Sequence, residues 1–365
     1  MTYILSFIIL ISIVVFVHEY GHYYYAKKFG VGVTDFSIGF GKEIFGYNDK
    51  HGTRWKLCLI PLGGYVKFYG DTNVSSVPNS DEQKDDLEKS KLLNYKPLYQ
   101  RAIIVSAGPI ANFVLAIIIF AIIFLTVGKD KTIPIISSVV ENSPAQRAGL
   151  QSNDQITFVN NKKINSINEV AKYISLSDSD VVRIEVLRQN KPLAFSIKTE
   201  TKSVKDNFGN NIKRKMIGIK ISPLKNKLTR EKLGPVKSIY FAFIETYNTI
   251  AITLSYIGKI IAGSESADQL GGPIKIAQVS GQVAEHGLIP FLSIMAYISI
   301  SLGLINLFPI PLLDGGHLFF YFIEFIRGKP LSGKVQLIFY KFGVFILFSL
   351  MFFATFNDLK SLGLF

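Results

Sequence analysis

The chain has 365 residues, 48% of them hydrophobic and only 18% charged, with 40 Lys+Arg against 27 Asp+Glu. That basic balance fits a nucleic-acid binder, but so apolar a composition does not, and the same apolar content excludes a largely disordered chain. A single cysteine, Cys58, excludes an intrachain disulfide framework and any CxxC metal or redox motif, which leaves an integral membrane protein with a polar insert.

A spanning helix needs about 20 apolar residues. Residues 1–17 are uncharged, and the apolar pattern continues to Lys27 and Lys28, so 1–26 reads as a first transmembrane helix. It has neither the basic start nor the small-residue cleavage site of a removable leader. A basic loop follows over 27–101. Within it TRWKLCLIPLGGYVKFYG (53–70) predicts a β-hairpin, two short strands around Pro61–Gly64, and 71–91 reads as a polar, acidic loop. The second transmembrane helix is 102–128, uncharged between Arg101 and Lys129.

The insert 129–222 opens with strand-like 132–140, passes through SPAQRAGLQSNDQITFVNN (143–161), and continues with alternating VVRIEVLR (181–188) and LAFSIKT (193–199). This is a small mixed α/β module. A basic run (Lys213, Arg214, Lys215, Lys220, Lys225, Lys227, Arg230, Lys232, Lys237) leads into 235–262, which Lys237, Glu245 and Lys259 interrupt. Residues 223–287 are therefore expected as a basic linker and an interfacial amphipathic helix, with anionic lipid as its partner. A third transmembrane segment spans 288–316, a turn 317–334, a fourth helix 335–357 and a tail 358–365.

Basic residues beside membrane ends mark the cytoplasmic side. Lys27, Lys28 and Arg101 bound one connection, and Arg327, Lys329 and Lys334 lie in the other. Both termini and the insert then fall outside, where nucleic acid is no partner. The expected fold is a polytopic α-helical membrane protein of four transmembrane helices. It carries a cytoplasmic-side membrane-associated β-hairpin and an extracytoplasmic mixed α/β domain.

The chemistry sits in two motifs. His18-Glu19-Tyr20-Gly21-His22 places two imidazoles at i and i+4 on one helix face, where both reach one metal. Glu19 lies beside them as a base for the attacking water. Ionisable groups are costly inside an apolar span and point to function there. A catalytic zinc needs a third protein ligand, and His51, His286, His317 and Asp314 are the candidates. Asp314 ends NLFPIPLLDGG (306–316), in which Pro309 and Pro311 break helical hydrogen bonding. Broken backbone at membrane depth occurs where protein or a cavity surrounds it. His317, three residues on, is the rival ligand.

With HEYGH and NLFPIPLLDGG in one chain, the sequence resembles the site-2 protease family of intramembrane zinc metalloproteases (peptidase family M50), in its bacterial RseP-type branch. FSIGFGKEIFG (36–46), IPLGGYVKF (60–68) and AGPIANFVLA (107–116) extend the resemblance over nearly the whole chain. It implies that His18, His22 and Asp314 hold Zn²⁺, that Glu19 is the general base, and that Asn306 holds substrate backbone or stabilises the oxyanion. For Asn112 it implies a supporting role, beside the alternative of plain helix packing. SPAQRAGL…NDQI (143–156) resembles a bacterial PDZ signature, so the insert is expected as one PDZ domain, a fold that takes a peptide as an added strand. The hairpin resembles one thought to present substrate as an extended strand.

The implied activity is hydrolysis of peptide bonds within transmembrane segments in a bacterial inner membrane. Its substrates would be single-span proteins such as anti-sigma factors, remnant signal peptides, or both. A catalytically silent PDZ-bearing scaffold is the alternative, and intact HEYGH with Asp314 speaks against it. A cation transporter would show repeated halves, and none is visible.

Overall fold

The computed structural model describes residues 2–70, 89–175, 177, 179–205, 211–223, 228–263, 267 and 270–362. Most of the acidic loop at 71–91, and Lys225 and Lys227 of the basic run, lie outside the described residues. The helices in chain order are α1 (Thr2–Lys28), α2 (Leu98–Thr126), α3 (Pro144–Arg147), α4 (Ile167–Ser175), α5 (Pro235–Ile261), α6 (Pro273–Glu285), α7 (Leu288–Asn306), α8 (Asp314–Arg327) and α9 (Gly333–Ser361). The strands are β1 (Val33–Asn48), β2 (Arg54–Phe68), β3 (Lys129–Asp130), β4 (Pro134–Val139), β5 (Gln155–Val159), β6 (Lys162–Lys163), β7 (Val181–Arg188), β8 (Lys191–Lys198), β9 (Glu200–Lys205), β10 (Asn211–Met216), β11 (Ile219–Pro223) and β12 (Arg230–Glu231). Two compact units result, 1–120 with 242–365, and 121–241.

Among the described residues, α1, α2, α7 and α9 are the helices long and apolar enough to cross a membrane. Their relative directions follow from side-chain pairs. His18 and His22 of α1 meet Asn112 and Ile104 of α2, so these helices are antiparallel. Ser299 donates to the Asn112 carbonyl, and Tyr297 packs on Phe120, so α2 and α7 are antiparallel too. Helices α1 and α7 therefore run parallel. On α5, Glu245 accepts a hydrogen bond from Tyr297, nine residues into α7.

As the prolines lead one to expect, α7 ends at Asn306, because Pro309 and Pro311 lack the N–H that continuation needs. Two expectations are corrected here. The expected turn 317–334 is mostly α8, whose Leu318–Arg327 stretch is apolar at helical spacing, and only Gly328 in the left-handed conformation closes it. The expected tail from 358 is the last turn of α9. There Asp358 is buried and accepts backbone N–H bonds from Gly272, Ile274 and Lys275, which caps α6. Helix α6 itself lay unforeseen inside 223–287.

The hairpin expected within 53–70 is also corrected. Its halves do not pair with each other. Val33–Ile38 pairs with Phe68–Gly64 on one side and also lies beside Arg54–Leu57, while Glu43–Asn48 pairs with Cys58–Arg54. The two long strands thus fold into a four-segment sheet whose first segment is central. Gly39 and Gly63 bend the ribbons at positive φ, 87° and 145°. The Phe36 ring stacks on Trp55 at 4.2 Å, with the Tyr23 ring of α1 edge-on to both. Asp49 fixes the connecting turn, accepting from Tyr23 Oη, Trp55 Nε1 and the backbone N–H groups of His51 and Thr53. Burial works to raise the Asp49 pKa, but these hydrogen bonds outweigh it and hold it down at about 2.

In the second unit the sheet order is β11-β4-β5-β7-β8, with β6 added on β5. Alternation buries Ile136, Ile156, Ile184 and Ile197 against Val170 and Ile174 of α4. Ser143 caps α3, accepting from the Gln146 N–H. Gln189 and Asn190, at φ 50° and 60°, form the two-residue turn that joins β7 to β8. The hairpin β9–β10 was not foreseen. Asp154 is fully buried and takes a two-pronged bond from Arg188, 2.7 Å on each side.

Arg188→Ala is expected to destabilise this unit by about 3–5 kcal/mol, because it strands a buried carboxylate. Asp154→Ala should cost less, about 1.5–3 kcal/mol, since the partly exposed Arg188 can be hydrated. Hydrogen exchange of the β7 and β8 amides in the full chain measures both. Equal losses would contradict the asymmetry.

Candidate metal centre

The centre lies within the first unit. His18 and His22 sit one helical turn apart on α1, with ring centroids 4.9 Å apart and Nε2 atoms 3.3 Å apart. Asp314, the first residue of α8, places Oδ2 3.2 Å from His18 Nε2 and Oδ1 3.5 Å from His22 Nε2. One donor atom from each of the three lies within 4.8 Å of the others. Asp314 Oδ2 is buried and takes no hydrogen bond.

Two facts of local sequence make this convergence possible. The first is Gly108 on α2, whose hydrogen faces the two imidazoles. A Cβ there would overlap His22 Nε2 and press on His18 Cε1. The second is the Gly315–Gly316 pair. A Cβ on Gly315 would overlap the carbonyl oxygens of Leu307 and Phe308, and one on Gly316 that of Ile310. The first turn of α8 can therefore lie against the loop 307–313, which brings Asp314 to α1. Backbone bonds run from Phe308 N–H to Ile305 of α7 and, within the loop, from Ile310 N–H to Phe308 and Leu313 N–H to Ile310. The loop carries strain at Leu312, at φ 88°, of the order of 1–3 kcal/mol.

The remaining groups are arranged around the three. His22 Nδ1 donates to the Ile104 carbonyl at 2.9 Å, which leaves its Nε2 free as a lone pair. Glu19 is buried on the same helix, its carboxylate receives a backbone hydrogen bond from Val66, and its Cγ packs beside Gly64 of β2. Asn306, the last residue of α7, sets its amide nitrogen 3.3 Å from His18 Nε2. Asn112 on α2 sets its amide against His18 Nδ1 at 3.2 Å.

Of the four candidates for a third ligand, Asp314 alone joins the pair. His317 faces the same cavity but its ring lies tilted beside that of Tyr340, centroids 5.9 Å apart. His51 lies at the exposed turn of the sheet, and the His286 ring is hydrogen-bonded to Gln282 O. A cavity of about 1670 Å³ opens from the centre between β2, α7, α8 and α9. It exceeds the roughly 300–1,000 Å³ of small-molecule sites, and Leu347, Met351 and Phe353 of α9 form its far wall.

The donor set fits a metal ion. Two imidazoles and a carboxylate, with an orphaned buried oxygen, match the nitrogen and oxygen donors that a catalytic zinc takes from protein. Without a shared cation the same three groups in an apolar bundle would be poorly compensated.

Comparisons with known proteins agree. The family model for Peptidase family M50 matches residues 6–350. Metalloprotease MmpA of Caulobacter vibrioides is 32% identical over 386 residues, covering 99% of this chain and 96% of its own. A protein of Agrobacterium fabrum named "putative zinc metalloprotease" is 40% identical over 362 residues, 99% of this chain and 96% of its own. One so named from Rickettsia conorii is 40% identical over 360 residues, 98% and 99% of the two chains. Among solved structures, the PDZ domain of an SdrC-like protein from Listeria monocytogenes is 26% identical and covers 24% of this chain and 85% of its own. At a TM-score of 0.20 it carries no argument about fold.

Purified protein is expected to hold about one zinc per chain. Asp314→Ala should lose it, and so should Gly315→Ala, which leaves every donor in place but pushes α8 away from its loop. Metal analysis after gel filtration tests both. Full occupancy in Gly315→Ala would show that the close approach of loop and helix is not what positions Asp314.

Proposed function

The chain belongs to peptidase family M50 and is a zinc metalloprotease; from that premise we propose that it cuts peptide bonds inside membrane-spanning segments of other proteins. The observation that carries this reading is the position of the donor set. His18, His22 and Asp314 meet inside a bundle of apolar helices, at the head of a cavity with apolar walls.

In this proposal His18, His22 and Asp314 hold the zinc. When bound, zinc supplies Lewis acidity to the scissile carbonyl and lowers the pKa of the attacking water. Glu19 takes the proton of that water and returns it to the leaving amine. Its buried carboxylate faces the Val66 N–H, and its Cγ lies beside Gly64. Asn306 turns its amide toward the same point and holds the scissile carbonyl. Largely apolar walls lower the local dielectric in which these few dipoles act.

A helical substrate hides its carbonyls in i→i−4 bonds and has to be held unwound. The segment 64–68 of β2 pairs on one side only among the described residues, and Gly64, Tyr65 and Val66 line the cavity beside Glu19. It is the edge on which an extended substrate can add as a strand. The second unit has the helices and antiparallel strands of the proposed PDZ domain. Its edge strand β11 lies beside α4, where a peptide can add in the same way.

The substrate class is single-span membrane proteins, remnant signal peptides included, in a bacterial inner membrane. Because α1 and α7 are parallel with one antiparallel span between them, the chain from Thr126 to Leu288 returns to the side it left. That supports α5 as a helix that does not cross.

Glu19→Gln should keep the metal and abolish cleavage of a reconstituted transmembrane peptide, with a loss of at least about 100-fold. Retained cleavage would remove Glu19 as the base, and failure of the wild type on such a peptide would remove the intramembrane reading. Cysteine labelling tests the topology separately. In a Cys58→Ser background, probes at Lys191 and Glu285 should both react with an impermeant reagent from outside, and one at Lys50 should not. Opposite labelling of the first two would mean that α5 crosses.

A further inference from the structure

Both imidazoles of the centre lean on α2 through their second nitrogen, but in different ways. His22 Nδ1 faces the Ile104 carbonyl, which can only accept, so the proton must be on Nδ1. His18 Nδ1 faces the side-chain amide of Asn112, which can either donate or accept. Ile104 and Asn112 are eight residues apart on α2, opposite two histidines four apart on the antiparallel α1.

The amide has two orientations, related by a half-turn about the terminal bond. With nitrogen toward His18, Asn112 Oδ1 is fully buried without a hydrogen-bond partner, in the midst of an apolar helix bundle. That orientation also makes Nδ1 the acceptor and puts the ring proton on Nε2. His18 Nε2, however, is the atom that points at Asp314, His22 and Asn306. A protonated Nε2 is no metal ligand. With oxygen toward His18, Nδ1–H donates to Oδ1 and Nε2 presents its lone pair, while the amide NH2 takes the place the oxygen held.

Asn112 is buried completely, its main-chain carbonyl is bound by Ser299 Oγ at 2.8 Å, and Gly303 of α7 lies against its Cβ. The packing thus encloses the side chain beside His18.

We propose that Asn112 is a positioning residue for the metal site: its side-chain oxygen accepts from His18 Nδ1–H and so keeps Nε2 open as a ligand. It acts as the carbonyl of Ile104 acts on His22, so that one face of α2 sets the tautomer of both histidines. Partners of this kind fix ring orientation and raise ligand basicity. Helix packing alone requires only the shape of Asn112, whereas this role requires an acceptor.

The inference rests on the reading of His18 as a zinc ligand, and the test separates the two. Zinc affinity is measured by chelator competition on the full chain in detergent, in a Glu19→Gln background, alongside the thermal midpoint of the metal-free form. His18→Ala is run first, and unchanged affinity there would overturn the ligand assignment itself. Given a loss in His18→Ala, Asn112→Leu should bind zinc about 10–100-fold more weakly. Asn112→Asp, which keeps an acceptor, should bind no more weakly than the parent. Parental affinity in Asn112→Leu, or equal loss in Asn112→Asp and Asn112→Leu, would overturn the role of Asn112. If Asn112→Leu does not fold, Asn112→Ala gives the same comparison. Nitrogen-15 spectra of His18 in the zinc-loaded parent decide it independently of any variant: a proton on Nδ1 supports the inference and one on Nε2 sinks it.

Discussion

Two imidazoles and a carboxylate have to be held together in surroundings that solvate none of them. Removing a carboxylate from water costs several kcal/mol unless a positive charge and hydrogen bonds stand in for the solvent. Here, among the described residues, Asp314 Oδ2 has no hydrogen bond. A shared cation would complete the arrangement, and several features of the first unit keep the three donors at that spacing. Helix α1 gives the pair, α2 gives a glycine where a side chain would intrude, and α8 brings the carboxylate by its first residue.

The price of delivering Asp314 is a break in the helix at membrane depth. Exposed to lipid, the freed carbonyls and N–H groups of 307–313 would be unsatisfied. Instead the loop bonds to the end of α7 and within itself, and packs its carbonyls against two glycines of α8 and against Gly343 of α9. Gly343 and Tyr340 are buried near one end of α9 and Asn357 and Asp358 near the other. The stretch between them is the part of α9 whose Leu347, Met351 and Phe353 wall the cavity. The same break thus places both the proposed ligand and the space in front of it.

The sheet is tied to the centre by aromatic packing and one carboxylate. Phe36, Trp55 and Tyr23 lock it to α1, and Asp49 gathers four donors at its turn. Its edge then comes to rest beside Glu19 with no covalent constraint between them closer than the forty-odd residues from Glu19 to Gly64. Rigid attachment of this kind is what a base and a strand-binding edge need if both are to act on one peptide bond.

Four apolar spans, the HEYGH pair and the broken segment at Asp314 were all legible in the sequence. Each is a local property: run length, i,i+4 spacing, or prolines that cannot donate. The choice among Asp314, His317, His51 and His286 was not local. It depended on the Gly315–Gly316 contact with the loop and on where α8 starts. Strand pairing was misread for the same reason, because Pro61–Gly64 looks like the turn of a self-paired hairpin, while the partner that separates the two halves, 33–38, lies some twenty residues earlier. Asn112 could be noticed as a polar residue in an apolar helix, yet only the fold sets it against His18 Nδ1. Spacing along one helix decides which side chains can share a face, but which atom of a ring is free depends on a neighbour from another helix, and that only tertiary packing supplies.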